Sequence, residues 1–189
     1  FRAALPDATI YVYDNNSRDR TMEVAQAAGA VVRSERMQGK GNVVRRMFAD
    51  VDADIYVMAD GDATYEAAAA PGLIDLLVND QLDMVVGARQ KGSQASVGRG
   101  LANGFYNRLA SWMTGHNVED LTSGFRAVRA DKFREFLYLL PNGFSYPTTS
   151  TMAFFRAGYA VAYVPIHAAK RIGKSHIRLL RDGTRFLLI

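Results

Sequence analysis

The chain of 189 residues has no cysteine, only three histidines, one tryptophan and five prolines. Without cysteine there is no disulfide scaffold, no thiolate metal site and no cysteine nucleophile. His116, His167 and His176 lack the H-E-x-x-H spacing of a zinc hydrolase. No run of about 18 apolar residues occurs, so no segment reads as spanning a bilayer. Internal repeats and low-complexity tracts are also missing. What is present is globular in character: 49% apolar and 22% charged residues, with length enough for one well-buried domain.

The net charge of +4 is concentrated at one end. Residues 165–189 hold Lys170, Arg171, Lys174, Arg178, Arg181 and Arg185 against Asp182 alone, which leaves the remainder close to neutral. A nucleic-acid footprint spreads across a fold, so the expected partner is an anionic ligand or a membrane surface and not nucleic acid.

Strand-like apolar runs alternate with helical patterns, the signal for βαβ units and a mainly parallel sheet flanked by helices. Strands are predicted over residues 9–13, 30–33, 55–59, 84–87, 125–128 and 159–166. Helices are predicted over 21–28, from the glycine loop at 38–42 to about 50, over 71–78, 101–113, 131–140, 148–157 and 176–189. Apolar spacing along 101–113 reads as a helix on which Phe105, Tyr106 and Trp112 are expected in core packing, the alternative being stacking on a sugar. The methionines read as core filler, and His116 and His167 as locally satisfied side chains.

Four segments carry chemistry. Asp60-Gly61-Asp62 ends a strand, where two carboxylates can converge on a hard divalent cation and a diphosphate; the plain alternative is a solvated turn. Asp14 ends another strand and can accept from a base N–H, while Ser17 or Asp19 caps the following helix. Gln38-Gly39-Lys40-Gly41-Asn42 can cradle phosphate with backbone amides and Lys40, although it is neither a P-loop nor a dinucleotide fingerprint. Arg171-Ile172-Gly173-Lys174-Ser175-His176 can clamp a diphosphate and neutralise a leaving group, or be a basic surface loop.

In this order, D-N-N-S-x-D-x-T, Q-G-K-G-N, D-G-D, V-V-G-A-R, D-L-T-S-G-F-R and R-I-G-K-S-H resemble glycosyltransferase family 2. Within it, the chain is most similar to the dolichol-phosphate mannose and polyprenyl-phosphate sugar synthases. The resemblance implies an α/β GT-A fold, a Rossmann-like nucleotide-diphosphosugar-binding domain over residues 1–175. It implies a UDP- or GDP-sugar donor, a lipid-phosphate acceptor, Mg or Mn as cofactor, and inversion at the anomeric carbon. Asp14, Gly39, Lys40, Asp60 and Ser175 then fall on the donor side. Asp62 corresponds to the direct metal ligand, with Asp60 nearer the ribose and the metal shell. Arg89, Asp120, Ser123, Gly124 and Phe125 fall on the acceptor side. Asp62, Arg89, Arg171 and Lys174 are the expected catalytic group.

The sequence departs from the family at His176, where lysine is usual, and at the residues after D-G-D. The family's opening strand is missing, which predicts poor donor binding by this segment alone. The apolar, mid-helical end and the proline-closed start both read as cuts in a longer chain. Residues 176–189 read as an amphipathic juxtamembrane helix, the plain alternative being a surface helix packed on the sheet, since Gly183 interrupts the pattern. The lipid-phosphate acceptor that the resemblance implies favours the first and, with it, a membrane-associated protein on the cytoplasmic face. A GT-A transferase with a saccharide acceptor and a non-catalytic nucleotide-sugar-binding scaffold are the alternatives.

Overall fold

The computed structural model describes residues 1–90, 97–143 and 145–169. Among the described residues, six strands and six α-helices follow one another, alternating as far as β5, after which two helices precede the last strand. They are β1 (Tyr11–Asp14), α1 (Thr21–Ala27), β2 (Val31–Ser34), α2 (Lys40–Asp50), β3 (Ile55–Met58), α3 (Ala70–Asn79) and β4 (Met84–Arg89). There follow α4 (Val97–Thr114), β5 (Arg126–Arg129), α5 (Ala130–Arg134), α6 (Tyr146–Arg156) and β6 (Val161–Ile166).

The strands form two sheets. β1 and β2 pair in parallel, and β3, β5, β4 and β6 form the larger sheet in that spatial order. β4 and β6 are parallel, whereas β5 runs antiparallel to both neighbours. The sheet is therefore mixed, with one inserted reversed strand. No ladder joins β1 to β3 among the described residues.

Side-chain alternation along the strands divides the core between two faces. Met84 and Val86 of β4 with Val128 of β5 meet Val44 and Phe48 of α2, Phe133 of α5 and Phe154 of α6. Val85 and Ala127 point the other way, onto Ala70, Leu73 and Leu77 of α3. Those three helical residues recur at i, i+3 and i+7, so one stripe of α3 is fully covered. Each such leucine contributes roughly 2 kcal/mol by leaving water.

Two expectations about helices are corrected. Residues 131–140 do not form one helix; α5 stops at Arg134 and a 3₁₀ turn, Leu137–Leu139, follows. Leu140 is extended because Pro141 comes next, and a residue before proline is excluded from the helical region. On α4, Phe105 is 61% and Trp112 81% exposed, so these rings are not core. The apolar spacing marked a helix correctly, but the covered side is that of Ala110 and the partly buried Tyr106. Met58 and Met84 are core filler, whereas Met22, Met37 and Met113 are exposed. His116 stacks on Phe155, centroids 4.8 Å apart.

Candidate active site

The carboxyl ends of β1 and β3 and the start of α2 supply the polar groups. Asp14, the last residue of β1, is buried and accepts the Ser17 amide at 3.1 and 3.3 Å. Ser17 is thus held by Asp14 and does not cap α1. The N-cap position of α1 is Arg20, which makes no side-chain cap, so neither residue caps the helix there; Asp19, one residue earlier, accepts the Thr21 amide at 3.0 Å.

Asn15 and Asn16 clamp the chain across the loop from β2. Asn15 Nδ2 donates to the carbonyls of Glu35 and Met37, and its Oδ1 accepts the Gly39 amide at 2.7 Å. Asn16, at φ 65°, donates to the Arg36 carbonyl. Sequence reasoning took this pair for turn-formers only; their reach over twenty residues leaves no local signal.

The glycine loop is built for close packing. Gly39 has φ 128°, and a Cβ there would lie 1.9 Å from the Asn142 carbonyl oxygen. A Cβ on Gly41 would lie 1.8 Å from that of Pro141. The Gly41 amide donates to the carbonyls of Asn142 and Gly143. The expected amide cradle is therefore engaged inside the protein at both glycines, and the outward-reaching group of this loop is the Lys40 side chain. Lys40 Nζ lies 2.6 Å from Asp60 Oδ1.

Asp60 and Asp62 follow β3. Asp62 Oδ1 accepts the Thr64 amide at 3.1 Å, a tight turn that includes Ala63 at φ 56°. Gly124 lies beside Asp60, where an added Cβ would sit 3.1–3.2 Å from the carboxylate. Gly124 is itself held by its amide donating to Tyr65 Oη and its carbonyl accepting from Tyr146 Oη. Lys40, Asp60 and Gly124 thus meet at one point, although 84 positions of sequence separate the first from the last.

The rest of the D-L-T-S-G-F-R segment serves the scaffold. Ser123 and Phe125, expected to line the acceptor side, are fully buried. Ser123 Oγ donates to the Gly87 carbonyl at 2.7 Å, and Phe125 stacks on Tyr65. The alternation of an extended chain turns both inward and leaves Gly124 toward Asp60. Arg89 and Asp120 pair with each other through two 2.7 Å contacts, and Arg89 also donates to Thr122 Oγ1. Burial works against the Arg89 charge, but the Asp120 hydrogen bonds and charge outweigh it and hold the pKa above its ordinary value. Arg171, Lys174 and Ser175 lie outside the described residues.

The donor set suits a divalent cation of the Mg or Mn kind. Such ions take one or two carboxylates and complete their shell with substrate phosphate oxygens and water. Asp60 and Asp62, two residues apart in sequence just after β3, each carry hard oxygen donors. Among the described residues no cluster of three or more acidic, histidine or cysteine groups forms a self-sufficient cage.

An α/β domain with a mixed sheet and paired carboxylates at a strand end defines a GT-A fold, and solved structures agree. Glucosyl-3-phosphoglycerate synthase from Mycobacterium tuberculosis, in complex with Mn2+, UDP-glucose and phosphoglyceric acid, superposes with a TM-score of 0.71 at 23% identity. That match covers 94% of this chain and 64% of the other. The model of glycosyl transferase family 2 matches residues 2–137, and the chain belongs to this family. A dolichyl-phosphate hexose transferase from Haloferax volcanii is 33% identical over 89% of this chain and 74% of its own length. Glycosyltransferase AglJ from the same organism is 32% identical over 93% of this chain, which spans 59% of that protein. Protein RfbJ from Shigella flexneri is 62% identical over 91 residues, 48% of this chain and 70% of its own.

Proposed function

We propose that this domain transfers a hexose from a UDP- or GDP-sugar to a polyprenyl phosphate, with inversion, at the membrane surface on its cytoplasmic face. The observation that supports it most is the meeting of Lys40, Asp60 and Gly124 beside Asp62, which joins a cation site to a point of close backbone approach. The names of relatives that act on dolichyl and undecaprenyl phosphates support the acceptor class.

The chemistry needs little from a general base. A phosphate monoester is already ionised near neutral pH; its oxygen forms the new bond to C1 as the C1–oxygen bond to the diphosphate breaks. The electron pair leaves on the nucleoside diphosphate. The domain must then position the two reactants and stabilise the departing charge. Asp60 and Asp62 would hold the divalent cation, which supplies charge neutralisation at the diphosphate. Lys40 adds positive charge, and Arg171, Lys174 and Ser175, which follow β6 in sequence, would add two cations and a donor. Asp14 at the end of β1 suits an N–H of the base. Gly124 leaves open the space where acceptor and sugar approach Asp60.

The test is transfer by the intact protein from UDP- and GDP-hexoses to a short polyprenyl phosphate, with and without a chelator. Lipid-linked hexose of inverted anomeric configuration, formed only with added Mg2+ or Mn2+, is expected. Transfer to a free saccharide or to phosphoglyceric acid in preference to the lipid would overturn the acceptor assignment. Donor binding without any turnover would leave a scaffold.

A further inference from the structure

We infer that Lys40 occupies the cation's electrostatic place when no donor is bound, so that divalent metal and nucleoside diphosphate enter as a coupled pair. This rests on the metal-dependent reading above. The Lys40 ammonium lies 2.6 Å from Asp60 Oδ1, with its side chain 34% and that of Asp60 19% exposed. Its placement is imposed by the fold. Lys40 opens α2 directly after Gly39, whose amide is fixed by Asn15 and whose neighbour Gly41 is fixed by the 142–143 backbone. Asp60 also lies beside Gly124, where a Cβ would come within 3.1 Å of Oδ1, so the lack of a side chain there leaves the carboxylate uncrowded.

The consequence is electrostatic. Asp60 and Asp62 together offer two negative charges, and the ammonium neutralises one of them. A divalent cation arriving alone meets a half-compensated site and a like charge at short range. A diphosphate carries more negative charge than one carboxylate and forms strong charge-assisted bonds to ammonium. Lys40, a flexible point charge on a four-carbon stem, can exchange Asp60 for the diphosphate while its backbone stays fixed. Asp60 is then released to face the metal. Coupling of this kind is reciprocal, and values of about 5- to 150-fold are usual.

The experiment titrates Mn2+ into the intact protein and reads the free-ion electron paramagnetic resonance signal, first without nucleotide and then with UDP. Lys40→Met is expected to bind Mn2+ about tenfold more tightly than wild type without nucleotide, and to show a smaller enhancement by UDP. Lys40→Arg keeps the charge and should behave as wild type. Arg36→Gln removes an exposed positive charge four residues before Lys40 in sequence, and should leave Mn2+ affinity unchanged. If wild type and Lys40→Met bind Mn2+ equally without nucleotide, and both bind it with UDP, the coupling is wrong and the metal site stands. Equal tightening by Arg36→Gln reduces the effect to net charge and also overturns the coupling. No Mn2+ binding by any variant, with or without UDP, overturns the metal reading and this inference together.

Discussion

Asp62 accepts the Thr64 amide through one oxygen, and asparagine keeps that acceptor while losing the charge a metal requires. Asp62→Asn is therefore expected to leave unfolding free energy within roughly 0.5 kcal/mol of wild type. Metal-dependent transfer should fall by about a hundredfold or more. Calorimetry and an assay at saturating Mn2+ separate the two effects, and a fully active variant would remove Asp62 from the site. Arg126 is the opposite case. It is fully buried and donates to the carbonyls of Ser123 and Pro147 and to the hydroxyl of Ser150. Burial pushes its pKa down, opposed most by Tyr146, whose ring lies 5.8 Å away. The guanidinium ties the irregular segment just before β5 to the start of α6, next to Gly124. Arg126→Met strands those acceptors without water, a loss of about 2–4 kcal/mol by urea denaturation. Wild-type stability in that variant would show that the acceptors find other partners.

At the scale of elements, the loop from β2 into α2 depends on contacts distant in sequence. Asn15→Ala removes two donated bonds and the acceptor of the Gly39 amide, so about 1–2 kcal/mol should be lost. UDP-sugar affinity should fall with it, because Lys40 is aimed by that amide; titration calorimetry reads this directly. Unchanged donor affinity in a measurably destabilised Asn15→Ala would confine the clamp to structure. Gly39→Ala combines a left-handed φ with a Cβ 1.9 Å from a backbone oxygen, and should cost more than about 3 kcal/mol in the same denaturation measurement. Neither effect was legible in the sequence, where Asn15 read as a turn residue and Gly39 as a phosphate contact. Local features were legible. The apolar runs found each strand, turn-formers found the ends of β1 and β3, and Asp60 and Asp62 stand where a strand-end carboxylate pair belongs. Pairing order was not, since nothing within residues 125–128 says that β5 runs antiparallel between β3 and β4. Burial of Ser123, Phe125 and Arg126 follows from that insertion, and so remained hidden with it.

For the whole molecule, the proposed lipid-phosphate acceptor requires a surface that docks on a membrane. Among the described residues no helix is long and apolar enough to cross a membrane. Residues 176–189 lie outside the described residues; from their sequence we propose an amphipathic helix, with Ile177, Leu180, Leu187 and Leu188 near one face and Arg178, Arg181 and Arg185 on another. That arrangement suits a helix lying in the headgroup plane, with each cation contributing roughly 1 kcal/mol at an anionic surface and less as salt rises. Replacing the three arginines with glutamine should therefore lower co-sedimentation of the intact protein with anionic vesicles at low salt, and leave neutral vesicles unaffected. The exposed ring of Trp112 provides the comparison. Trp112→Ser should shift stability by no more than about 0.5 kcal/mol, because little of the side chain is packed. If vesicle binding survives the arginine changes and is lost with Trp112→Ser, the anchor is the α4 surface and the basic stretch acts elsewhere. Steep salt dependence confined to the anionic vesicles, and abolished with the arginines, assigns membrane contact to residues 176–189.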